Sequence, residues 1–435
     1  MMYVLGGMPC LLKKKLFLKE EKRMKKFLAL FLSMLMAASL VACGSEPAPA
    51  APSGGSSAAE PMSNSDFKVG LILIHDENSG YDLAHIEGLQ AAVKALGLDE
   101  ATQVVYKYNI PEDETCYDTA ADLADSGCDI IFTDSYGHQT YCQQAAKDFP
   151  DTLFVACTGD TAATSGLTNF YNMFPSTYES RYVSGVVAGM KLKELMDAGT
   201  VKDPYVGYVG AYPYAEVVCG YTAFFLGIRS IVPEAHMDVQ YTNSWYDPVA
   251  EAEAANALMS KGCVIIGQHA DSTGAPSAVQ AAMDSGKVAY SVGYNIDMTT
   301  VAPKAALTSA QNNWGALYTP IVEAAMKGET IPTDTNVGYA GGGVMISKLG
   351  ESCAPGTQEA VDKAWAAIKD GSLKVFDTKT FTVDGKEVTS AMAFDTDGDY
   401  VPDSEEAIID GAFQESTLRS APYFSLRIDG ITELN

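Results

Sequence analysis

Basic residues are scarce in this sequence. Its 435 residues include 29 Lys and Arg against 55 Asp and Glu, which gives a formal net charge of −26. Residues 1–42 hold eight of the basic but only two of the acidic residues, so the rest of the chain carries 21 against 53, a net charge of −32. Because nucleic-acid binding needs Lys and Arg to neutralise phosphates, this charge argues strongly against a nucleic-acid partner. An anionic ligand is also disfavoured at long range, but a neutral or cationic one is not.

The common phosphate-binding and nucleophile motifs are missing as well. The sequence has no GxxxxGK[ST] loop and no GxSxG elbow, and its Gly341-Gly342-Gly343 run has no lysine after it. His269 and Asp271 are spaced as two metal ligands or as half of a triad, but no third partner has a suggestive spacing. The sequence therefore predicts that the protein is not an enzyme and that His269 and Asp271 recognise a ligand.

Paired cysteines are also absent. Seven cysteines follow Cys43, none of them in a CxxC pair, and most lie in apolar patterns such as "GCDIIF" and "GCVIIG". An odd number is unusual for a disulfide framework. We expect buried free thiols, with one or two disulfides as the alternative and a zinc site disfavoured.

The N-terminus has the pattern of an export signal. Met24-Lys25-Lys26 is basic, residues 27–40 are apolar, and Leu40-Val41-Ala42 leads into Cys43. A basic start, a short apolar run and small residues at the cleavage site are typical of a signal peptide, and the cysteine resembles a bacterial lipobox. We predict a signal peptide over 1–42 and lipidation of Cys43, with Met24 as the true start. The alternatives are an ordinary signal peptide with an incidental cysteine, and a long basic leader that begins at Met1.

A Pro/Ala/Ser/Gly-rich segment, 43–66, follows and predicts a disordered tether. Beyond it, strand-like and helix-like segments alternate: "FKVGLILIH" is a strand with a helix after it, and "TQVVYKYNI", "CDIIFTD" and "TLFVACTG" continue the series. "STYESRYVSGVVAGMKLKELMDAG" is a helix with small residues spaced for close packing, after which a second series begins. This alternation predicts an α/β fold of two doubly wound lobes joined by crossover hinges. The predicted ranges are 67–177 with 306–331 for lobe 1, 178–305 with 332–350 for lobe 2, and 351–435 for a C-terminal extension.

No later apolar run is long enough to span a bilayer, so we expect the body to be soluble. In open α/β sheets a ligand binds beyond the carboxyl ends of the strands. The loops at those ends combine aromatic side chains with carboxylates and amides, which suits a neutral heteroaromatic or sugar-bearing ligand. The candidate ligand-binding residues are Asn78, Tyr81, Asp82, Tyr136, Tyr212, Trp245, His269, Asp271, Asn295, Asp297 and Trp314.

Three segments carry a family resemblance: "NFYNMFPSTYESRYVSGVVAG", "NSWYDPVAEAEAANALMSKGCVIIGQHADSTG" and "YSVGYNIDMTTVAPKAALTSAQNNWG". They resemble the basic membrane protein (BMP) family of ABC-transporter substrate-binding lipoproteins, over about residues 67–350. The resemblance implies a type I periplasmic-binding-protein fold and a purine nucleoside or nucleobase as ligand.

The resemblance also suggests individual roles. Tyr81 takes the place of a phenylalanine that stacks on the base, and Asp82 that of the asparagine after it. Asn78 stands for an aspartate in the same loop. Asn295 replaces the first aspartate of a loop that reads ribose hydroxyls, whereas Asp297 keeps the second, and this change favours a free base. From their chemistry we infer stacking for the matching tryptophans, Trp245 and Trp314, and edge hydrogen bonds for His269 and Asp271.

Beyond about residue 350 the resemblance fades, and "FDTDGDYVPDSEE" resembles a calcium-binding loop. Oxygen ligands at positions 1, 3, 5, 9 and 12 would be Asp395, Asp397, Asp399, Asp403 and Glu406. Tyr400 stands where such loops favour glycine, and the alternative is a solvated acidic turn. If the loop binds calcium, the ion would be structural, and no other cofactor is expected. We expect the final segment "TLRSAPYFSLRIDGI" to pack back onto a lobe.

The preferred function is a lipid-anchored extracytoplasmic receptor. Its lobes close around a purine nucleoside or nucleobase and deliver it to an ABC permease. Two alternatives stay open: a ligand-sensing lipoprotein that feeds a signalling pathway, and an extracellular nucleoside hydrolase.

Overall fold

The computed structural model describes residues 66–395 and 401–435. The predicted signal peptide, Cys43 and the tether up to residue 65 lie outside the described residues and stay predictions. Within the described ranges, no helix is both long and apolar enough to cross a membrane.

The first sheet contains six parallel strands in the order β11-β5-β4-β3-β1-β2. They are β1 (Val69–Ile72), β2 (Val104–Lys107), β3 (Ile130–Thr133), β4 (Leu153–Ala156), β5 (Phe170–Pro175) and β11 (Asp334–Val337). The helices around it are α1 (Gly80–Leu96), α2 (Glu100–Gln103), α3 (Glu114–Asp125), α4 (His138–Asp148) and α9 (Gly315–Lys327). Side chains of α1 and α9 form one core with this sheet, and side chains of α3 and α4 form another. Because both faces are covered, β1 and β3 are buried along their whole length, and Thr133 at the end of β3 is their only polar residue.

The second sheet contains seven strands in the order β12-β10-β9-β8-β6-β7-β17. They are β6 (Tyr205–Gly210), β7 (His236–Tyr241), β8 (Ile265–Gln268), β9 (Tyr290–Tyr294), β10 (Ala306–Asn312), β12 (Val344–Ile346) and β17 (Ile431–Glu433). The helices are α5 (Thr177–Asp197), α6 (Ala215–Arg229), α7 (Pro248–Lys261) and α8 (Gly274–Asp284). All its pairings are parallel except that between β12 and β10. The two sheets, each with helices on both faces, confirm the predicted two-lobed α/β fold.

Small residues allow α5 and α6 to pack closely, as the sequence predicts. A Cβ atom added at Gly185 would lie 2.0 Å from the carbonyl oxygen of Phe224, and one added at Gly227 would lie 2.1 Å from that of Tyr182. Such distances are below any real carbon–oxygen contact, so only glycine fits at these two positions at this helix separation.

The chain crosses between the lobes three times: from β5 to α5, from β10 to α9, and from β11 to β12. These positions correct the predicted lobe boundaries at two points. Residues 306–312, predicted for lobe 1, form β10 in the second sheet, and residues 334–337, predicted for lobe 2, form β11 in the first. The segment "VGYAGGGVMIS" contains the end of β11, a short 3-10 helix (Tyr339–Gly341) and β12. Two short strands with glycines between them have the apolar content of one longer strand, so the pattern alone does not separate them.

The glycine run 341–343 forms the turn of the third crossover. A Cβ atom at Gly343 would lie 2.1 Å from the carbonyl oxygen of Val337, and Gly342 has a φ of +79°. Asn313, at the second crossover, donates from its side-chain amide to the carbonyl oxygen of Gly342 over 2.8 Å. The run therefore joins β11 of the first sheet to β12 of the second.

The C-terminal extension begins after β12 and contains α10 (Thr357–Lys369) and the short strands β13 (Met392–Phe394), β14 (Ser404–Glu406), β15 (Ile408–Ile409) and β16 (Ala412–Phe413). Its last strand, β17, pairs with β7 at the edge of the second sheet. Phe424 and Ile428 join the core of lobe 2. The prediction that the final segment packs back onto a lobe is confirmed.

The cysteines after Cys43 are free thiols, as predicted. All are buried except Cys353, which is half-buried. Burial raises the pKa of these thiols, to about 11 for Cys128 and about 12 for Cys142, so they are protonated and unreactive at neutral pH.

Candidate functional site

A cavity lies between the lobes at the carboxyl ends of both sets of parallel strands. It contains about 380 Å³ of space free of protein atoms, part of it open to solvent. Each lining residue comes from a strand end or the loop after it, or from the start of the next helix: Ile74, Tyr81, Asp134, Ser135, Tyr136, Thr158, Glu216, Trp245, His269, Asp271 and Tyr294. This is the position at which open α/β sheets bind ligands.

Asp134 supplies a buried carboxylate to the lobe 1 wall. It follows β3 directly and is fully buried, and its Oδ1 accepts a hydrogen bond of 3.0 Å from the backbone N–H of Ile74. Its Oδ2 accepts no hydrogen bond from an N–H or O–H group of the described residues. Burial, the nearby charge of Asp82 and a side-chain hydrogen bond with Asp82 raise the pKa of Asp134 well above its ordinary value. The two carboxyl groups can therefore share a proton, and Asp134 offers a ligand a buried polar group of reduced charge.

Tyr81 contributes an aromatic side chain in the first turn of α1. Ser79 caps this helix, and its side chain accepts from the backbone N–H of Asp82. The Tyr81 hydroxyl donates to the carbonyl oxygen of Cys157 over 3.3 Å, and its ring meets His85 edge-on with 4.7 Å between centroids. These contacts fix the ring at the cavity wall.

His269 and Glu216 face each other in the lobe 2 wall. His269 Nε2 lies 3.3 Å from Glu216 Oε1. Burial and the nearby Arg181 charge lower the pKa of His269 well below its ordinary value, so the ring is neutral at pH 7. Burial raises the pKa of Glu216 to about 7, although Arg181 opposes the shift. Glu216 therefore titrates near neutral pH, and its carboxyl group can donate a hydrogen bond when protonated and accept one when ionised.

Arg181 lies beneath this wall, on the crossover helix α5. It is 2% exposed, and its Nη1 donates to the carbonyl oxygen of Gln268 over 2.6 Å. The guanidinium carbon lies 3.6 Å from the ring centroid of Tyr294, which lines the cavity. Arg181 therefore supports the aromatic wall by a cation–π contact and partly balances the buried carboxylates.

Asp271 connects the two lobes. Its backbone carbonyl accepts a hydrogen bond of 3.0 Å from the N–H of Gly80, the first residue of α1 in lobe 1. Its side-chain Oδ1 accepts from Asn295 Nδ2 over 2.9 Å. Burial, with the charges of Asp82 and Glu251, raises the pKa of Asp271 well above its ordinary value. The lobes are thus in direct contact beside the cavity.

Five of the eleven predicted ligand-binding residues line the cavity: Tyr81, Tyr136, Trp245, His269 and Asp271. Tyr212 and Asn295 lie directly behind it. The Tyr212 ring packs edge-on against Trp245 with 5.3 Å between centroids, and Asn295 is 3% exposed and bonded to Asp271. Both therefore position residues that line the wall. For both residues this differs from the predicted direct contact with the ligand.

The other four are farther from the cavity. Trp314 is fully buried and stacks on His85 with 3.7 Å between centroids, so it offers no exposed face for the predicted stacking on a ligand. Asp82 is fully buried, and its Oδ1 accepts from the backbone N–H of His75 over 2.8 Å. Asn78 is exposed and bonds Asp76 within its own loop. Asp297 caps a short 3-10 helix and lies 3.4 Å from Lys348.

The predicted calcium loop is only partly described, because Asp397 and Asp399 lie outside the described residues. Within the described ranges, no group of three or more His, Cys, Asp or Glu side chains is placed to hold a metal ion. The Glu406 carboxylate accepts hydrogen bonds from the backbone N–H groups of Ala391 and Ile408, each of 2.9 Å. A calcium ion would have to replace these donors, and its binding stays a prediction.

Several cavity residues are not among the candidates predicted from the sequence. Asp134, Glu216 and Tyr294 lie in the strand-end loops that predict the ligand site, but Thr158 does not stand out by any motif. Arg181 had one signal: it is the only arginine in a helix made mostly of small and apolar residues, where a charge needs a buried partner.

Comparisons with known proteins agree with this geometry. The model of the Bmp family, described as ABC transporter substrate-binding protein PnrA-like, matches residues 72–379. A purine-binding protein of Brucella abortus is 32% identical over 322 residues, which cover 74% of this chain and 86% of the relative. A putative ABC transporter glucose-binding protein of Haloferax volcanii is 31% identical over 264 residues, which cover 61% of this chain and 63% of the relative.

One further relative and one solved structure are also similar to this chain. The ABC transporter nucleoside-binding protein BmpA of Lactococcus lactis is 23% identical over 310 residues, covering 69% of this chain and 82% of the relative. The solved structure of an ABC transporter solute-binding protein of Conexibacter woesei has a TM-score of 0.57 at 22% identity and covers 71% of this chain and 98% of that one. The chain belongs to the Bmp family of PnrA-like ABC-transporter substrate-binding proteins.

Proposed function

We propose that the protein captures a purine nucleoside or nucleobase in the interlobe cavity and delivers it to an ABC permease. The observation that carries this proposal is the pairing of aromatic rings with buried acceptors in one cavity. Tyr81, Tyr136 and Trp245 offer ring surfaces, and Asp134 and Asp271 offer carboxylates of raised pKa. A purine presents a flat face to the rings and N–H groups to the carboxylates. The purine-binding relative from Brucella abortus supports this ligand class.

The cavity favours an electroneutral ligand. Its lining contains no lysine or arginine, and Arg181 lies behind the Tyr294 ring. A nucleotide phosphate would be buried beside Asp134, Glu216 and Asp271 with no cationic side chain among the lining residues to compensate its charge. We therefore expect nucleosides and free bases to bind and nucleotides to be rejected.

We further propose that the ligand leaves the protein chemically unchanged. His269 faces Glu216, but the neutral His269 ring has no serine, cysteine or threonine nucleophile among its hydrogen-bond partners in the described residues. Substrate-binding proteins of this family act on the extracytoplasmic side. Lipidation of Cys43, proposed from the lipobox-like sequence, would anchor the protein there.

The test begins with the ligand that co-purifies with the protein. It is extracted, identified by mass spectrometry, and then titrated back together with a panel of purine bases, nucleosides and nucleotides. Glucose is included because one relative is described as a putative glucose-binding protein. A ligand at 100 times its dissociation constant stabilises the folded state by about 2.7 kcal/mol, which a melting curve resolves easily.

Two outcomes decide the proposal. A base or nucleoside that raises the melting temperature and is recovered intact supports it, and the panel shows which of the two classes binds. Stabilisation by glucose alone, or no response to any purine, would overturn the ligand assignment.

A further inference from the structure

The C-terminal extension is built onto lobe 2. Its aromatic residues Phe376, Phe413 and Phe424 pack in the lobe 2 core, and β17 adds to the edge of the second sheet. The family match ends at residue 379, so most of this extension lies beyond the region shared with the family. Through these contacts the extension is fixed to lobe 2.

One loop of the extension, residues 415–424, is closed by hydrogen bonds at its base. The buried carboxylate of Glu415 accepts from the backbone N–H groups of Tyr423 over 3.1 Å and of Phe424 over 2.7 Å. The Tyr423 hydroxyl also accepts from the backbone N–H of Leu418 over 3.3 Å. We call this segment the latch loop.

The tip of the latch loop contacts lobe 1. Arg419 Nη1 lies 2.9 Å from Asp160 Oδ2, and the backbone N–H of Ser420 donates to Asp334 Oδ2 over 2.9 Å. Asp160 follows β4 and Asp334 begins β11, both in the first sheet. The side chains of Arg419 and Asp160 are only 23% and 14% exposed, so solvent screens this ion pair less than one at the open surface.

Asp160 also connects Arg419 to the cavity wall. The hydroxyl of Tyr136 donates to the same Oδ2 atom over 2.8 Å, and Tyr136 lines the cavity. A single carboxylate oxygen therefore holds both the tip of the latch loop and an aromatic residue of the proposed ligand site.

We propose that the latch loop holds the two lobes closed, with Arg419 as the positioning residue that fixes Asp160 and Tyr136 against the ligand. Any rotation that separates the lobes at this point breaks the Arg419–Asp160 ion pair and the Ser420–Asp334 hydrogen bond. The closed form gains these contacts in addition to those of the ligand, so the ligand leaves more slowly. The effect on the ligand rests on the proposed function, whereas the effect on lobe closure does not.

The first test measures ligand dissociation by stopped flow, and its probe is the purine that co-purifies with the protein. Removing one partner of a mostly buried charge pair acts mainly on the dissociation rate. We expect Arg419→Met to release the ligand about tenfold faster, with little change in the association rate, and Arg419→Lys to retain most of the wild-type behaviour. The matched control is Arg427→Met, because Arg427 pairs with Glu433 inside lobe 2 and reaches no residue of lobe 1 in the described contacts.

A double-mutant cycle separates positioning from a general structural role. Asp160→Asn should accelerate dissociation as Arg419→Met does, and the double variant should be no faster than either single one. Asp160→Asn also serves in place of Arg419→Met if that variant does not fold. Fully additive effects, or dissociation at the wild-type rate in both variants, would overturn the latch.

A ligand-free measurement keeps this inference separate from the ligand assignment. We expect small-angle X-ray scattering to give a larger radius of gyration for ligand-free Arg419→Met than for the wild type, because the lobes open further. If the wild type bound no purine, the proposed function would be wrong. The latch would then be tested by the radius of gyration alone. Equal radii in both proteins would overturn the latch even if purines bind.

Discussion

The backbone N–H of Gly80 in lobe 1 donates a hydrogen bond of 3.0 Å to the carbonyl oxygen of Asp271 in lobe 2. Gly80 begins α1, and Tyr81 beside it lines the cavity. The Asp271 side chain, held by Asn295, lines the same cavity from the other lobe. One contact therefore brings a ring and a carboxylate to opposite sides of the ligand space. Closure of the lobes assembles the site, so binding and closure are energetically linked.

The buried carboxyl group of Asp134 gives the first prediction. Asp134→Asn keeps the size of the side chain but replaces one carboxyl oxygen by an NH₂ group that only donates, so a ligand N–H directed at that oxygen loses its acceptor. We expect the affinity for the purine to fall by about 10- to 100-fold, the cost of an unmatched buried polar pair. Isothermal titration calorimetry measures the change.

Asp76→Asn is the matched control for that experiment. Asp76 follows β1 on the same side of lobe 1, but its carboxylate bonds Asn78 in an exposed turn. Wild-type affinity is expected for this variant. Equal losses in both variants would point to a diffuse charge effect and against a direct contact of Asp134 with the ligand.

The helix crossing of α5 and α6 gives the second prediction. Gly185→Ala places a methyl group 2.0 Å from the Phe224 carbonyl oxygen, so the helices have to move apart. Overpacking of this kind costs about 1–3 kcal/mol of unfolding free energy. Urea denaturation followed by circular dichroism measures it.

Gly315→Ala is the control, because the closest atom to its new methyl group is a side-chain carbon of Ala91 at 3.3 Å. We expect a change of less than about 1 kcal/mol in the control, since a contact of this length is relieved by a small local shift. A Gly185→Ala protein as stable as this control would show that the helices separate easily.

Most of the fold is predictable from the sequence, because most of the buried parallel strands leave a continuous apolar run. The crossovers are harder: β10 and β11, of seven and four residues, contain several polar residues and lie on either side of α9, and their assignment to a sheet depends on which strands they pair with. Within the site, residues with an aromatic or histidine signal at a strand end were predictable. The position of Trp314 was predicted wrongly and Arg181 was not predicted at all. Burial of these two side chains beneath the wall depends on packing between helices that are distant in sequence.

The calcium loop gives a third prediction, which the described residues do not test. If the acidic loop binds Ca²⁺ as the sequence predicts, 5 mM CaCl₂ raises the melting temperature of EDTA-treated protein, because the ion binds only the folded loop. Asp397→Asn should abolish the increase. The same melting temperature with CaCl₂ and with EDTA would show that the loop binds no calcium ion and is a solvated acidic turn.

The buried carboxyl group of Glu251 gives the fourth prediction, a specific pH dependence. Glu251 is fully buried, its Oε1 accepts from the backbone N–H of Ser272 over 3.1 Å, and its Oε2 has no partner among the described residues. Burial raises its pKa from 4.5 to about 7. Between these two values the folded protein keeps a proton that the unfolded chain has lost. The stabilisation from this proton is therefore complete below pH 4.5 and is lost as the pH rises through about 7.

Glu251→Gln removes this titration while keeping an oxygen acceptor for Ser272. Between pH 5 and pH 8 the wild type should lose up to about 3 kcal/mol more unfolding free energy than the variant, the equivalent of this pKa shift. Urea denaturation at pH 5, 6, 7 and 8 gives the difference curve, in which titratable groups that do not interact with Glu251 cancel. Asp271, whose pKa the Glu251 charge raises, contributes to the difference as well. Glu253→Gln, an exposed change in the same helix, should follow the wild-type curve. A variant curve parallel to that of the wild type would show that Glu251 is ionised in the folded protein throughout this range.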